Sequence, residues 1–277
     1  MKANVTRHST VSPDSFDRIE AEFKAALDES LDPRGQDSLY DYVTELNLGP
    51  GSIGLDVGCG DGKHAIELVK RFGLDVLGVD PVPRHVEAAS KSAREQTAEH
   101  PEMPERAHFR LGRAEQLPAD DAAFDLVWCR DVLTLVEDLD AAYHEIHRVL
   151  KPGGRALIYQ MFTTDKLEPR EAASMLTALG SFAANMRPDF TESTIMLAGL
   201  SIDRCDVLGS EWGEYAEEHT GKSARNLIHV ARLLRQPEPY IQRFGKENYD
   251  VAVADCLWHI YRLIGKLSGR VYLLSKS

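Results

Sequence analysis

A chain of 277 residues, 43% apolar and 27% charged, is long enough to bury one substantial core, or one core with a smaller cap, and is too well mixed to be disordered throughout. Its formal net charge of -12 repels phosphate backbones, and no lysine or arginine run offsets this locally, which argues against a nucleic-acid substrate. No run of about 18 apolar residues is present to cross a bilayer, and the polar start MKANVTRHSTVSPDS lacks the apolar centre of a secretory signal, so a cytoplasmic protein is expected.

Residues 1–13 read as a loose tail. The stretch SFDRIEAEFKAALDES places Phe16, Ile19, Phe23, Ala26 and Leu27 at helical spacing, and Asp14 or Ser15 can cap it. A second helix, Gln36 to Leu46, carries Leu39, Tyr42, Val43 and Leu46 on one side and is stopped by Leu48-Gly49-Pro50-Gly51. The pattern then changes to strands alternating with helices. Strands are expected at Ile53 to Val57, Asp75 to Val79, His108 to Leu111 and Phe124 to Trp128, and, after a turn at Lys151-Pro152-Gly153-Gly154, at Arg155 to Met161. Helices are expected at Lys63 to Phe72, from Pro83 to about His100, and through Tyr143 to Leu150. Such alternation implies a parallel sheet covered on both faces, with ligands at the carboxyl ends of the strands.

Further on, residues 167–184 and 189–198 read as helices, Ser201 to Leu208 and Arg270 to Leu274 as a sixth and a seventh strand. The stretch between these strands carries helices near 211–219, 222–235 and 247–266. It is too long for a loop and too short for a comfortable separate domain. A cap over a substrate cleft, residues 209–267, is the natural use for it. The Rossmann-like core is then 51–208 with 268–277, and the N-terminal helices of residues 1–50 form the other side of a lid. The four cysteines, Cys59, Cys129, Cys205 and Cys256, have neither zinc-ligand spacing nor the density of a disulfide scaffold, and no group of acidic and histidine residues reads as a metal site.

The segment GLDVGCGDGKH, Gly54 to His64, is a strand feeding a glycine turn and then a helix. Gly58, Gly60 and Gly62 let the backbone turn sharply and approach a ligand, and amides there, helped by the helix's positive end, can receive a carboxylate. About 20 residues beyond, Asp80 ends the second strand, where an acidic side chain can accept both hydroxyls of a ribose. These features admit a nicotinamide or flavin protein as well as one that binds S-adenosylmethionine (SAM).

Four segments in order, GLDVGCGDG, VLGVDPV, LPADDAAFDLVWCRDVL and HEIHRVLKPGGRALI, resemble the small-molecule branch of class I SAM-dependent methyltransferases, the group similar to ubiquinone-biosynthesis and natural-product enzymes. The resemblance covers residues 53 to about 160. It implies a Rossmann-like, seven-stranded, mostly parallel sheet with helices on both faces and a helical cap. It implies that Asp56 and the turn from Gly58 through Cys59 and Gly60 to Gly62 surround the methionine part of SAM, and that Asp80 binds the ribose with Pro81 or Val82 flanking adenine. Ala114, Glu115 and Gln116 are then along the adenine edge, with Arg130 beneath the sulfonium. Two positions depart from the pattern. Arg113 stands where relatives have an aspartate, and it cannot accept a hydrogen bond. Thr134-Leu135 stands where relatives often have a histidine pair, so a base is missing there.

Methyl transfer from a sulfonium is direct displacement, to which alignment and exclusion of water contribute much. The cap histidines His219, His229 and His259 are candidates for the lost base, His219 being favoured because it follows EWGEYAEE, and His219→Ala is expected to weaken turnover. Gln160, Met161 and Phe162, ending the fifth strand, are expected to face the reaction chamber, with Gln160 a catalytic candidate. Trp212 and Tyr215 are expected on the substrate, while Tyr240, Tyr249, Trp258 and Tyr261 divide between pocket and cap core. The expected reaction is O- or N-methylation of a small molecule, with C-methylation or a SAM-bound cyclisation as the alternative and a nicotinamide oxidoreductase behind these. Either a monomer or a homodimer is compatible with the sequence.

Overall fold

The structure, a computed structural model, describes residues 22–99 and 106–276, which fall into two units divided between Pro33 and Arg34. In the first, residues 22–28 are helical (α1), as the spacing of Phe23, Ala26 and Leu27 suggests; Phe16, Ile19 and the tail 1–13 lie outside the described residues.

The second unit begins with a 3-10 turn at Gln36–Ser38 and α2 at Leu39–Glu45. Then follow β1 Ile53–Val57, α3 Lys63–Phe72, β2 Asp75–Asp80, α4 Pro83–Glu99, β3 Ala107–Leu111, β4 Phe124–Arg130, a 3-10 turn at Leu133–Leu135 and α5 Leu139–Val149. After these come β5 Leu150–Thr163, α6 Pro169–Leu179, α7 Pro188–Leu197, β6 Leu200–Gly209, α8 Glu211–Thr220, α9 Lys222–Arg235, α10 Pro237–Phe244, α11 Lys246–Leu263 and β7 Leu267–Lys276. The strands form one sheet in the order β3-β2-β1-β4-β5-β7-β6, parallel except that β7 runs antiparallel to both β5 and β6. The chain builds outward from β1 through β2 to β3 and returns to place β4 on β1's other side. That reversal opens a crevice at the carboxyl ends of β1 and β4.

Alternation along each strand divides the core into two layers. Leu126 and Trp128 of β4 and Leu157, Tyr159 and Met161 of β5 face α2, α3, α6 and α11. Val127 and Cys129, with Ile158 and Phe162, face α5 and α7 on the other side. Leu39, Tyr40, Tyr42 and Val43 of α2 are buried in the first layer, so this helix is part of the sheet's packing and not separate from it. A third, small cluster of Val230, Leu233 and Cys256, flanked by Tyr240 and Tyr249, belongs to the cap helices themselves.

Three elements differ from the sequence expectation. Lys151-Pro152-Gly153-Gly154 is not a turn ahead of a strand but a bulge within β5, since Leu150 pairs with Phe124 and Arg155 with Leu126. Lys151 Nζ donates to Asp125 Oδ2 at 2.7 Å and anchors the bulge. Helix α6 stops at Gly180, which adopts φ 68°, well before residue 184. Asn185 instead ties the following turn to the Leu133 and Val136 carbonyls at 2.8 and 2.7 Å. Finally, α10 forms in the interval 236–246, to which no element was assigned, because proline is tolerated in a helix's first turn.

Candidate functional site

A cleft of about 400 Å³ lies at the carboxyl ends of β1, β2, β3 and β4. Gly58, Gly60, Asp80, Pro81, Ala114, Glu115 and Arg130, all drawn from the sequence, line it. Gly58 has φ 73°, and a Cβ there would come within 2.2 Å of Val132 Cγ2, so a side chain is excluded both by backbone conformation and by space. Gly62 does not line the cleft. Its role is packing, with Phe109 Cζ and Ala89 Cβ at 2.8 and 2.9 Å from where a Cβ would stand.

Asp56, one strand residue short of the cleft rim, is 2% exposed. Burial pushes its carboxyl up to about 7, although the backbone amide of Ala65 in the first turn of α3 donates to it. Its Oδ2 is buried without a partner. An acceptor in that state is matched by a cationic donor from a ligand. Asp80, also buried, accepts from the Gly60 amide at 3.0 Å, the Val82 amide at 2.9 Å and pairs with His85 Nδ1 at 3.1 Å. His85 lines the cleft, a residue the sequence reading passed over. It sits in the first turn of α4, so the signal was a histidine five positions after the strand-end aspartate.

The glycine-turn amides differ from expectation. Gly58 and Cys59 both donate to the Val79 carbonyl, at 2.7 and 3.1 Å, Gly60 to Asp80, and Gly62 to the Cys59 carbonyl at 2.9 Å. The first three hold the loop to β2 and the fourth closes the loop on itself, so these amides are not free for a carboxylate. Cys59 is buried, and burial raises its thiol, so it has no thiolate character. A cation at the cleft is Arg130 of β4, whose Nη1 donates to His64 Nε2 and Nη2 to Gln36 Oε1, both at 2.8 Å. Since a guanidinium only donates, His64 Nε2 accepts and its Nδ1–H faces the Tyr40 hydroxyl at 2.8 Å. Burial, seconded by the Arg130 charge, lowers His64 to about 4, which keeps it neutral. Tyr40 in turn stacks on Trp128 at 5.1 Å. This chain from α2 through α3 to β4 fixes the guanidinium.

Next to Arg130, Asp131 lines the cleft in a left-handed conformation, φ 58°, that a non-glycine residue adopts at a cost. Its Oδ2 is 3.5 Å from Arg130 Nε. Arg113 is at the rim with its side chain turned to Glu115 Oε1 at 3.0 Å, so the adenine-edge aspartate of relatives is replaced by an ion pair along the wall. Leu135, in place of a histidine, supplies apolar wall together with Val132 and Val136.

The expected reaction residues are distributed differently. Gln160 is fully buried on the α7 side of the sheet, where its Nε2 donates to the Asn185 carbonyl at 2.6 Å. Phe162 shares that side and meets Tyr272 edge-on at 6.0 Å. Alternation along β5 separates both from Met161, which faces the cap. His219 is exposed at the end of α8, stacked on Tyr215 at 3.9 Å, with its Nδ1 2.9 Å from the Tyr215 carbonyl. His259 on α11 is half-buried, 3.9 Å from Asp255, and burial lowers its pKa. Neither histidine is among the cleft-lining residues. Trp212 is buried beneath the Arg130 guanidinium at 5.3 Å, stacked on Tyr159 at 4.2 Å. Tyr215 covers Gly35, where a Cβ would sit 2.8 Å from its ring. The adjoining Arg34 forms a two-pronged pair with Glu211, at 2.7 and 2.6 Å, so residues 34–36 strap the cap's first helix to the cleft wall. Nothing in the expected motifs flags that pair.

The arrangement thus offers a buried acceptor for a cation at β1, an acceptor for paired hydroxyls at β2 and a guanidinium for a carboxylate at β4. A family model described as a methyltransferase domain matches residues 55–158. An uncharacterized methyltransferase of Schizosaccharomyces pombe is 37% identical over 192 residues, 66% of this chain and 68% of that protein. Methyltransferase GfsG of Streptomyces halstedii is 32% identical over 142 residues, 50% of this chain and 49% of its own length. Two further curated relatives are matched over 40% and 31% of their length, so the chain spans about half, or less, of several proteins it resembles. Among solved structures, the cyclase SpnF superposes with a TM-score of 0.66 at 23% identity, covering 87% of this chain and 81% of that one, which bears on fold alone.

Proposed function

We propose that this chain, which belongs to the class I SAM-dependent methyltransferases that act on small molecules, transfers the methyl group of SAM to an oxygen or nitrogen of a small organic substrate. The observation that carries this reading is the unpartnered, buried Oδ2 of Asp56 set beside Asp80 on adjacent parallel strands. A ligand with an ammonium at one end and a ribose further along satisfies both. Asp56 receives the amino group, Arg130 the carboxylate that the engaged glycine amides cannot, and Asp80 the ribose hydroxyls. Pro81 and Val82 flank the adenine, with Ala114 and Glu115 along its edge.

Bound SAM supplies a methyl group activated by its positively charged sulfur. The chain's own part is to align the acceptor and to manage its proton. With SAM bound, the acceptor's lone pair would displace the sulfur, and the carboxylate of Asp131 would take the proton that a hydroxyl or amine acceptor gives up. Asp131 suits this because it lines the cleft, with its Oδ2 3.5 Å from Arg130 Nε. Val132, Leu135 and Val136 keep water from the sulfur's surroundings. Residues 209–267 cover the acceptor.

The test is calorimetric binding of S-adenosylhomocysteine (SAH), followed by mass-spectrometric detection of SAH formed from SAM with a panel of phenols and amines. SAH binding that Asp80→Ala weakens, together with turnover that Asp131→Asn lowers, supports the assignment. A folded chain that binds NAD and not SAH contradicts it.

A further inference from the structure

One cap helix has a composition opposite to that of the rest of the chain. The whole chain bears a net charge of -12, yet α9, KSARNLIHVARLLR, has one lysine, three arginines and no acidic residue. Its inner face is satisfied, with Val230 and Leu233 buried in a cluster with Cys256 of α11. Its outer face is apolar as well, Leu227 being 49%, Ile228 44% and Leu234 62% exposed. The fold makes no use of these outer side chains.

Helical spacing sorts that outer face into two flanks. Leu227, Ala231 and Leu234, at i, i+4 and i+7, form one flank, and Arg225 and Arg232, seven apart, form the other with His229. Ile228 and Arg235, also seven apart, lie between the two. Ile228, Ala231, Arg232 and Arg235 line a surface groove of about 390 Å³, so two guanidiniums adjoin an aliphatic wall. All three arginines are exposed, and no carboxylate among the described residues pairs with any of them. Glu217 of α8 accepts from the Ala224 amide at 2.7 Å and is occupied at the start of the helix.

An aliphatic flank beside a basic one suits the boundary of an anionic bilayer, where acyl chains take the first and headgroup phosphates the second. The groove matches both parts of one lipid, a phosphate on Arg232 and Arg235 and the first acyl carbons on Ile228 and Ala231. A protein partner is matched less well, because protein interfaces centre on aromatic anchors in which leucine is under-represented, and the outer face of α9 has leucines and no aromatic residue. No described helix is long and apolar enough to cross a bilayer, so α9 meets lipid by lying on it. The chain's acidic surfaces more than about 8 Å away are largely screened at physiological salt and leave the local positive field in place.

We propose that α9 docks the chain on an anionic phospholipid surface, with Leu227, Ile228 and Leu234 entering the acyl boundary and Arg225, Arg232 and Arg235 held by headgroup phosphates. The docking is independent of which small molecule is methylated.

The experiment floats the full chain with vesicles of phosphatidylcholine alone and of phosphatidylcholine mixed with phosphatidylglycerol. It is repeated for the double variants Arg232→Gln with Arg235→Gln and Leu227→Ser with Leu234→Ser, each first shown to be folded by a cooperative thermal melt. The wild type should partition onto the anionic vesicles at least about tenfold more strongly than onto the neutral ones, and added salt should weaken this. The arginine variant should lose at least about tenfold in partition, each cation at such a surface being worth roughly fivefold. The leucine variant should lose about as much, because apolar insertion is removed. Equal partition onto both vesicles, absence of vesicle binding, or anionic binding that survives either double substitution overturns the proposal. Full displacement by soluble glycerol phosphate overturns it in favour of a simple phosphate site. Self-association in sedimentation velocity that the leucine variant abolishes, without vesicle binding, overturns it in favour of an interface between two copies of the chain.

Discussion

Asp56→Asn separates the binding role of a buried carboxylate from its effect on stability. In the ligand-free chain burial holds this carboxyl at about 7 in place of an ordinary 3.8, which disfavours the ionised form by on the order of 4 kcal/mol. A carboxyl raised on folding contributes stability that is fully present below pH 3.8 and lost as pH rises through 7. The asparagine is free of that loss, so ligand-free Asp56→Asn should gain thermal stability over the wild type at pH 8 and keep only about a third of that advantage at pH 5. Binding has the opposite sign. An ammonium needs the carboxylate ionised, so SAH binding should release a proton below pH 7, and wild-type affinity should rise by up to about tenfold per pH unit until it levels off above 7. Asp56→Asn should flatten that slope and weaken binding at pH 8 by about 1.5–3 kcal/mol, roughly 10- to 150-fold, the range for a lost charge-assisted hydrogen bond. His64, lowered to about 4 by burial, titrates below this window and does not contribute to it. Calorimetry from about pH 5.5 to about 8.5 in two buffers of different ionisation enthalpy measures affinity and proton release together. A wild-type affinity flat with pH, or an asparagine variant with the same slope, would refute the reasoning.

Asp80→Ala should weaken SAH binding by about tenfold to a hundredfold, since the change removes the ribose acceptor and the anchor of the Gly60 amide at once; unchanged calorimetric affinity excludes the ribose role. Gly58→Ala should lower the melting temperature through its left-handed backbone and the collision with Val132, at a cost of about 1–3 kcal/mol; Val132→Ala should restore only the steric part, and full rescue would show that backbone strain is negligible. Arg34→Ala should reduce global stability by no more than about 1 kcal/mol because the pair with Glu211 is partly exposed, yet it should speed proteolytic nicking of the segment before α2, which a protease time course reads. His219→Ala should leave turnover near the wild-type value, since the ring is exposed and stacks only on Tyr215; a loss of more than about tenfold in kcat would return it to the reaction.

The sheet was legible because strand and helix periods alternate cleanly from Ile53 onward, and β1 and α3 have the expected bounds. The cofactor cleft was legible for a related reason, its residues being consecutive at strand ends. What escaped was whatever depends on contacts between distant segments. Gln160 and Phe162 were expected in the chamber by their place at the end of β5, but alternation assigns them to the layer that holds Ile158, a parity that Tyr159 and Met161 on the other side could have revealed. The turn at Lys151-Pro152-Gly153-Gly154 became a bulge because a neighbouring strand was there to pair on both sides of it. The glycine amides were taken for ligand donors because sequence gives no sign of the Val79 carbonyl that accepts two of them. Asp131 has no local signature, its left-handed backbone being visible only in the structure.

Solving the structure of the chain with SAH bound tests the central claim most directly. The amino nitrogen should lie within hydrogen-bonding distance of Asp56 Oδ2, with both ribose hydroxyls on Asp80 and the carboxylate against Arg130. Density for SAH at any other place, or a nucleoside turned so that its amino group faces away from β1, would contradict it.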